Sequence, residues 1–398
     1  MVMAQSVQVA IVGGGMVGMS AALGLAQCGI SVALIDREEP KPASGEFDLR
    51  VSAINRASES FLKELGAWQR MDHSRIAAYT GMKVWDKDSL GNIDFAAEDY
   101  QQPDLGHIIE NSVIAYGLWQ QVSEHKLIRC ILGAPKSVAF GEHEAWLTLA
   151  DDSMLSARLL VAADGANSWL RQQMNVPISF RDYGHSGLVA TVRSLHGHDK
   201  VARQVFLPEG PLALLPLAED NLCSIVWSLP PEQAKGLTEC SGSEFCDAIT
   251  LASEGVLSKL EVVSERAAIP LTMRYARDFV LPRLALIGDA AHTIHPLAGQ
   301  GVNLGLMDAK LLIEVLASGQ ESGRDLGDLT LLQRYARPRK AAAQEMIAAM
   351  SGFKWLFAGD HPVKKGMRDI GLALVNRIPG LKRKFIEQAL GVSTNELR

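Results

Sequence analysis

Cysteine is scarce in this chain. Five are present among 398 residues, Cys28, Cys130, Cys223, Cys240 and Cys246, an odd and scattered set without a Cys-x-x-Cys pair. That argues against a disulfide framework, a zinc site and a dithiol redox centre. The five read as reduced thiols of a cytosolic protein, mostly buried small apolar groups. No metal site is expected. No stretch approaches the roughly 18 apolar residues that a membrane span needs. The N-terminus lacks the basic start, apolar run and cleavage site of a signal peptide, so a cytoplasmic location is expected. Positive charge is also in short supply. A formal net charge of −6 argues against a nucleic-acid partner. Internal repeats, long linkers and a second Gly-x-Gly-x-x-Gly are missing too.

The apolar fraction of 47% is ample for packed cores, and the length exceeds the usual single-core limit, so two lobes are expected. Residues 7–12 form a short, β-branched, largely apolar run, as in a strand buried on both faces. Gly13-x-Gly15-x-x-Gly18 follows, then helical apolar spacing through Met19, Ala22, Leu23, Leu25 and Ala26 to a helix end at Gly29. A second buried strand, 31–35, closes on Asp36. In such a βαβ unit Gly13 permits the tight turn, Gly15 lets a pyrophosphate approach the backbone, and Gly18 allows close helix–strand packing. The pyrophosphate sits on the helix N-terminus, where unpaired N–H groups favour negative charge. Asp36 can accept hydrogen bonds from a ribose, and its charge speaks against a 2′-phosphate. Taken by itself, the unit does not separate FAD from NAD.

Two further elements choose FAD. Residues 159–163 read as another buried strand ending in Asp164-Gly165, and 285–287 as one ending in Gly288-Asp289, followed by small residues able to start a helix. In an open α/β sheet the strand C-termini face the ligand crevice. An acid at 289 suits a ribityl hydroxyl. Gly299-Gln300-Gly301-Val302-Asn303 then offers N–H groups at a helix N-terminus, suited to the electron-rich pyrimidine edge of a flavin. His292, His295 and Pro296 are the candidates to line the flavin. Of these, the histidines are as readily loop-orienting hydrogen-bond partners. Asp164 can equally cap the following helix, and Arg171 reads as an ion-pair partner on the helix surface.

With these residues in view the chain resembles the single-component FAD aromatic hydroxylases, which share the fold of p-hydroxybenzoate hydroxylase. Within them it resembles the ubiquinone-biosynthesis hydroxylases, the 2-polyprenylphenol hydroxylase branch in particular. The marks are Leu49-Arg50-Val51-Ser52-Ala53-Ile54-Asn55, Val84-Trp85-Asp86-Lys87-Asp88-Ser89, residues 163–171, 222–228 and 288–303. The resemblance implies that Asp164-Gly165 serves both FAD and the pyridine nucleotide, that Asp289 binds the ribityl chain, and that Val302-Asn303 lies beside the isoalloxazine. It also implies that Arg50 stands near the flavin and nicotinamide path. The implied reaction is hydroxylation of a polyprenylphenol, at ring carbon 5, using NAD(P)H, O2 and a hydroperoxide at the flavin C4a carbon. A same-fold hydroxylase of another ring position or of a soluble phenol is the alternative. So is a scaffold subunit of a quinone-biosynthetic complex that retains FAD. A glutathione-reductase-like flavoprotein would need the missing second fingerprint and cysteine pair.

The expected fold is α/β. A Rossmann-like FAD-binding lobe with a mostly parallel sheet (residues 1–73, 101–176 and 265–325) carries an inserted antiparallel β-sheet substrate lobe (74–100 and 177–264). C-terminal helices occupy 326–398. Short apolar or alternating runs at 185–193, 201–207, 212–217 and 222–229 carry the substrate sheet, and 111–122 reads as a helix. The tail is basic and apolar. Arg334, Arg337, Arg339 and Lys340 precede Phe353, Trp355, Leu356 and Phe357, and seven further cations from Lys364 to Lys384 alternate with residues such as Leu372 and Ile378. It is either a peripheral contact with the inner face of the membrane or a complex partner, or a solvated helix face. Homo-oligomerisation is left open.

Overall fold

The computed structural model describes residues 5–43, 45–87, 92–294 and 301–357. The β-branched runs build a parallel sheet in the order Leu284–Leu286, Met154–Ala162, Gln5–Val12, Val32–Asp36, Ile128–Leu132. Val280–Leu281 and the hairpin Pro135–Phe140/Ala145–Leu149 extend it with antiparallel pairings. Helix α1 (Met16–Gln27) is buried along most of its length against this sheet. Helices α2 (Arg56–Glu64), α3 (Asn111–Glu124) and the short α4 (Trp169–Gln173) belong to the same lobe.

A second sheet of nine strands has Ile178–Ser194 at its centre, flanked by Ala267–Ala276 and Leu222–Leu229. It continues through Leu212–Pro216 and Val201–Phe206 to Gly81–Asp86 and Asn92–Ala96. Every pairing is antiparallel except Val201–Phe206 with Gly81–Asp86. Alternation splits the side chains. Leu188, Ala190, Val192, Ile225 and Trp227 pack with Phe245 and Ile249 of the helical layer α5 (Pro231–Glu239) and α6 (Gly242–Ala252). Ala202, Ala213, Leu215 and Val226 face Ala53 and Ile108 of a three-stranded sheet, Val51–Ile54, Gly106–Glu110 and Ile76–Tyr79. The chain finishes its described part with α7 (Gly301–Glu321) and α8 (Leu329–Phe357).

The α/β class with a parallel sheet and an inserted antiparallel sheet is as expected. Three assignments differ. Ala267–Ala276, expected with the flavin lobe, pairs with Ile178–Ser194 in the antiparallel sheet, and His292–Thr293 joins it there. Ile76–Tyr79, expected in the substrate lobe, pairs instead with Gly106–Glu110. Alternation reveals a strand but not its partner, which here lies 27 to 98 residues away in sequence. Helices α5 and α6 lie within the region read as strands and cover the sheet's outer face. Lys364 to Lys384 of the basic tail lie outside the described residues. No helix among the described residues is long and apolar enough to cross a membrane.

Candidate active site

The parallel sheet collects the three sequence elements at one edge. Val12 is level with Ile35 and Ala162, and Ala162 with Leu286, so these strands end together. Pairing persists past the ends. Gly13 N–H donates to Ile35 O at 2.8 Å, Ala163 N–H to Val12 O at 2.8 Å, and Ile287 N–H to Ala162 O at 3.0 Å. Gly13, Asp36, Asp164 and Gly288 thus emerge side by side into the crevice where open α/β sheets bind ligands.

The glycines divide by what excludes a side chain. Gly13 has φ +109°, and a Cβ there would lie 2.3 Å from the Ala163 carbonyl oxygen. A Cβ on Gly18 would lie 1.9 Å from the Gly13 carbonyl oxygen. Those two sites are closed by protein backbone. Gly15 has ordinary extended geometry, φ −73° and ψ 178°, and a Cβ there would meet nothing within 4 Å. What Gly15 keeps clear is open space over the α1 N-terminus, which has no side-chain cap and no acid in its first turn. Asp36 accepts from the N–H of Gly14 and, at 2.5 Å, from that of Arg37. Asp36 borders a shallow cleft whose walls include Leu34, Trp119 and Ile131. Apolar walls beside a carboxylate have the chemistry that an adenosine calls for.

Asp164 does two things. Its Oδ2 accepts the Leu170 N–H at 3.1 Å, steadying α4. Its Oδ1 is buried without a hydrogen-bond partner. An orphaned acceptor on a crevice-facing turn fits a ligand donor. Gly165, φ +80°, has no atom within 4 Å of where a Cβ would stand, so its backbone is open to the crevice. Arg171 is not on the surface, as expected from sequence, but only 4% exposed. Its guanidinium donates at 2.8 Å to both Ala166 O and Ala290 O, tying the middle element to the C-terminal one. Desolvation lowers its pKa, opposed by nearby Asp164.

Asp289 stands at the apex of a single 3-10 turn, Gly288–Ala290, not at the start of an α-helix. Gly288, Ala290, Ala291 and His292 are buried, while Asp289 between them is exposed. The protein around it pushes the carboxyl above the usual carboxylate range, and His292, Arg50 and Arg274 partly offset this. Arg50, itself exposed, therefore shares the crevice with Asp289.

His292, a candidate to line the flavin, turns inward instead. It is 3% exposed, and its Nε2 donates to Asp308 Oδ2 at 2.6 Å. Asn303 is likewise turned away from the crevice. Its Nδ2 donates to Ala53 O at 2.7 Å and its Oδ1 accepts from Asn55 N–H at 3.2 Å, clamping α7 to the Arg50-bearing segment. Gly301 and Val302 open α7, leaving their backbone as the part available to a ligand. His295, Pro296, Gly299 and Gln300 lie outside the described residues.

Sequence reading passed over Asp308 and Arg339. Asp308 is fully buried, and burial opposes its charge. His292 and Arg339 prevail, holding the carboxyl below its usual range. The signal was present, since helical spacing puts Asp308 on the buried stripe of Gly305, Leu312 and Val315. Glu59, Asp104 and His107 are the described residues that cluster with metal-ligand geometry. Arg56 lies 3.0 Å from Glu59 and 3.4 Å from Asp104, and Lys63 2.5 Å from Glu59, so these cations already balance the charge.

A model of the family described as FAD binding domain matches residues 6–350. The chain belongs to this family. It is 38% identical over 395 residues to the 3-demethoxyubiquinol 3-hydroxylase of Escherichia coli (strain K12), covering 98% of this chain and 99% of that protein. To the mitochondrial ubiquinone biosynthesis monooxygenase COQ6 of Drosophila melanogaster it is 33% identical over 431 residues, covering 95% and 88% respectively. Among solved structures, p-nitrophenol 4-monooxygenase PnpA from Pseudomonas putida DLL-E4 shares the fold with a TM-score of 0.77 at 17% identity, covering 98% and 99%. The chain is an FAD-dependent aromatic monooxygenase of the ubiquinone-hydroxylase kind, with NAD(P)H as reductant.

Proposed function

We propose that the chain hydroxylates the aromatic ring of a prenylated ubiquinone precursor, and that the carbon attacked is ring carbon 3 of a demethoxyubiquinol. The observation that carries this is the 38% identity, over essentially both full lengths, to a relative named for that reaction. It revises the expectation of ring carbon 5 on a polyprenylphenol, which rested on motif resemblance.

Bound FAD supplies hydride acceptance from NAD(P)H and the activation of O2. The protein's work is holding, orienting and drying. The α1 N-terminus and Asp36 would hold the pyrophosphate and adenosine ribose, Asp164 and Asp289 the hydroxyl-bearing middle of the cofactor. Asn303 fixes the segment that carries Arg50 beside the crevice. The inner face of the nine-stranded sheet, with Ala202, Ala213, Leu215 and Val226 packed against Ala53, gives a dry apolar support on the side of the site where a prenylated ring would bind. Delivery of such a substrate calls for a membrane surface or a partner protein, and the basic, apolar C-terminal segment is the proposed contact.

The test is mass spectrometry of the quinone precursor that accumulates in a deletion strain. A precursor lacking only the ring-3 oxygen supports the proposal. A polyprenylphenol lacking oxygen at carbon 5 restores the earlier reading, and normal quinone levels point to a soluble phenol. If an Asp289→Ala chain that folds without FAD still restored quinone synthesis, a scaffold role would replace catalysis.

A further inference from the structure

The turn that carries Asp289 is wrapped around a single buried oxygen. Asp308 Oδ2, from α7, accepts from Gly288 N–H at 3.0 Å and from His292 Nε2 at 2.6 Å. One acceptor therefore grips the residue before Asp289 and the residue three after it. The other oxygen, Oδ1, accepts from Arg339 Nε of α8 at 2.6 Å, and Arg339 Nη2 donates to Leu304 O at 2.9 Å. The turn is closed by Ala291 N–H donating to Gly288 O at 2.9 Å, and Tyr335 of α8 donates to Leu286 O at 2.6 Å, just upstream. His292 is further fixed by its ring lying 5.7 Å from that of Phe279.

We propose that His292, Asp308 and Arg339 form a buried strut that positions Asp289 for the cofactor, so that helix α8 sets FAD affinity without touching FAD. The inference rests on the FAD reading of the crevice. Three observations carry it. Asp289 alone in its turn projects outward while its neighbours are buried. Two donors to Asp308 come from the turn and the third from α8, which locks the turn against both α7 and α8. The electrostatics agree, because His292 is foremost among the charges that offset the desolvation of Asp289. Arg339, grouped from sequence with a basic tail, thereby acquires an interior role at 12% side-chain exposure.

His292 and Arg339 would act through Asp289 and are positioning residues, so the test is a double-mutant cycle read on FAD dissociation, by flavin fluorescence quenching on the full chain. His292→Phe keeps the ring against Phe279 and removes the donor. It should weaken FAD binding about tenfold or more, a typical size for residues coupled in one network. His292→Gln, which can place an amide N–H near the Nε2 position, should recover most of the affinity. In an Asp289→Asn background His292→Phe should cost little more. Arg339→Met should follow the same pattern, with Arg339→Lys milder. Additive losses in the cycle, or failure of Gln to outperform Phe, would reduce the strut to general packing. Should His292→Phe fail to fold, the Arg339 pair decides by the same criteria. A wild-type chain that folds and takes up no FAD overturns the underlying reading, and the strut with it.

Discussion

Replacing Gly15 by alanine should separate folding from cofactor binding. At φ −73° and ψ 178° alanine is at ease, and its Cβ would touch nothing within 4 Å. The folded apoprotein loses nothing, and the unfolded chain loses glycine's freedom, so apoprotein stability should be unchanged or raised by up to ~1 kcal/mol. FAD binding should respond oppositely. The methyl group enters the space over the α1 N-terminus, holding a phosphate off the N–H groups there. Losing one or two hydrogen bonds to a charged group, at about 1.5–3 kcal/mol each, with partial relaxation, predicts a loss of about 2–4 kcal/mol. That is roughly 30- to 1,000-fold in Kd. Urea unfolding of the apoprotein and FAD titration read the two effects separately. Gly18→Ala is the control, because a Cβ 1.9 Å from a backbone oxygen should impair folding itself. Either of two results would refute the reasoning: Gly15→Ala with wild-type FAD affinity, or Gly15→Ala as unstable as Gly18→Ala.

Asp289→Asn should stabilise the apoprotein at neutral pH while weakening FAD binding. Desolvation raises the folded-state pKa, so the folded chain holds the proton more tightly and ionisation of Asp289 costs stability as pH rises. An apoprotein no more stable than wild type near pH 7, by thermal melting, would contradict this. Glu59 works with the opposite sign. Burial opposes its charge, but His107 3.4 Å away and hydrogen bonds from Lys63 and Arg56 bring its pKa from 4.5 to about 2. It should contribute stability above the unfolded-state value that is lost as pH falls through that window, amounting to about 3 kcal/mol at most. Urea midpoints at several acidic pH values should show this slope in wild type and its loss in Glu59→Gln; parallel profiles would count against it.

What the sequence made legible was local. The turn at Gly13-x-Gly15-x-x-Gly18 and the acids at the ends of buried strands are specified within a few residues, and each stands at the sheet edge as expected. What stayed hidden was set by distance along the chain. Arg171 looked like a surface arginine because the carbonyl it seeks, Ala290, is 119 residues away. Arg339 looked like part of a cationic tail because Asp308 lies a helix away. Asn303 looked like a flavin contact because it follows a glycine-rich stretch, yet its amide is taken by Ala53 and Asn55, about 250 residues upstream. Composition and period report which residues are buried; they carry no address for the partner.

The acids of this chain sort by whether their demands are met internally, and that sorting separates scaffold from site. Asp308 is satisfied by three donors and Glu59 by cations, and both are held as carboxylates. In the crevice the pattern inverts. Asp164 keeps one buried oxygen orphaned, and Asp289 projects outward with its pKa raised by the protein around it. A buried polar group left unmet costs about 1–3 kcal/mol, so the orphaned Asp164 oxygen at the sheet edge is a cost the fold would shed unless something restores it. Hydroxyl and amide donors along a bound cofactor do restore it. The satisfied acids are thus the means by which the unsatisfied ones are kept in place, and Asp308, gripping the turn of Asp289 from behind, joins the two classes directly.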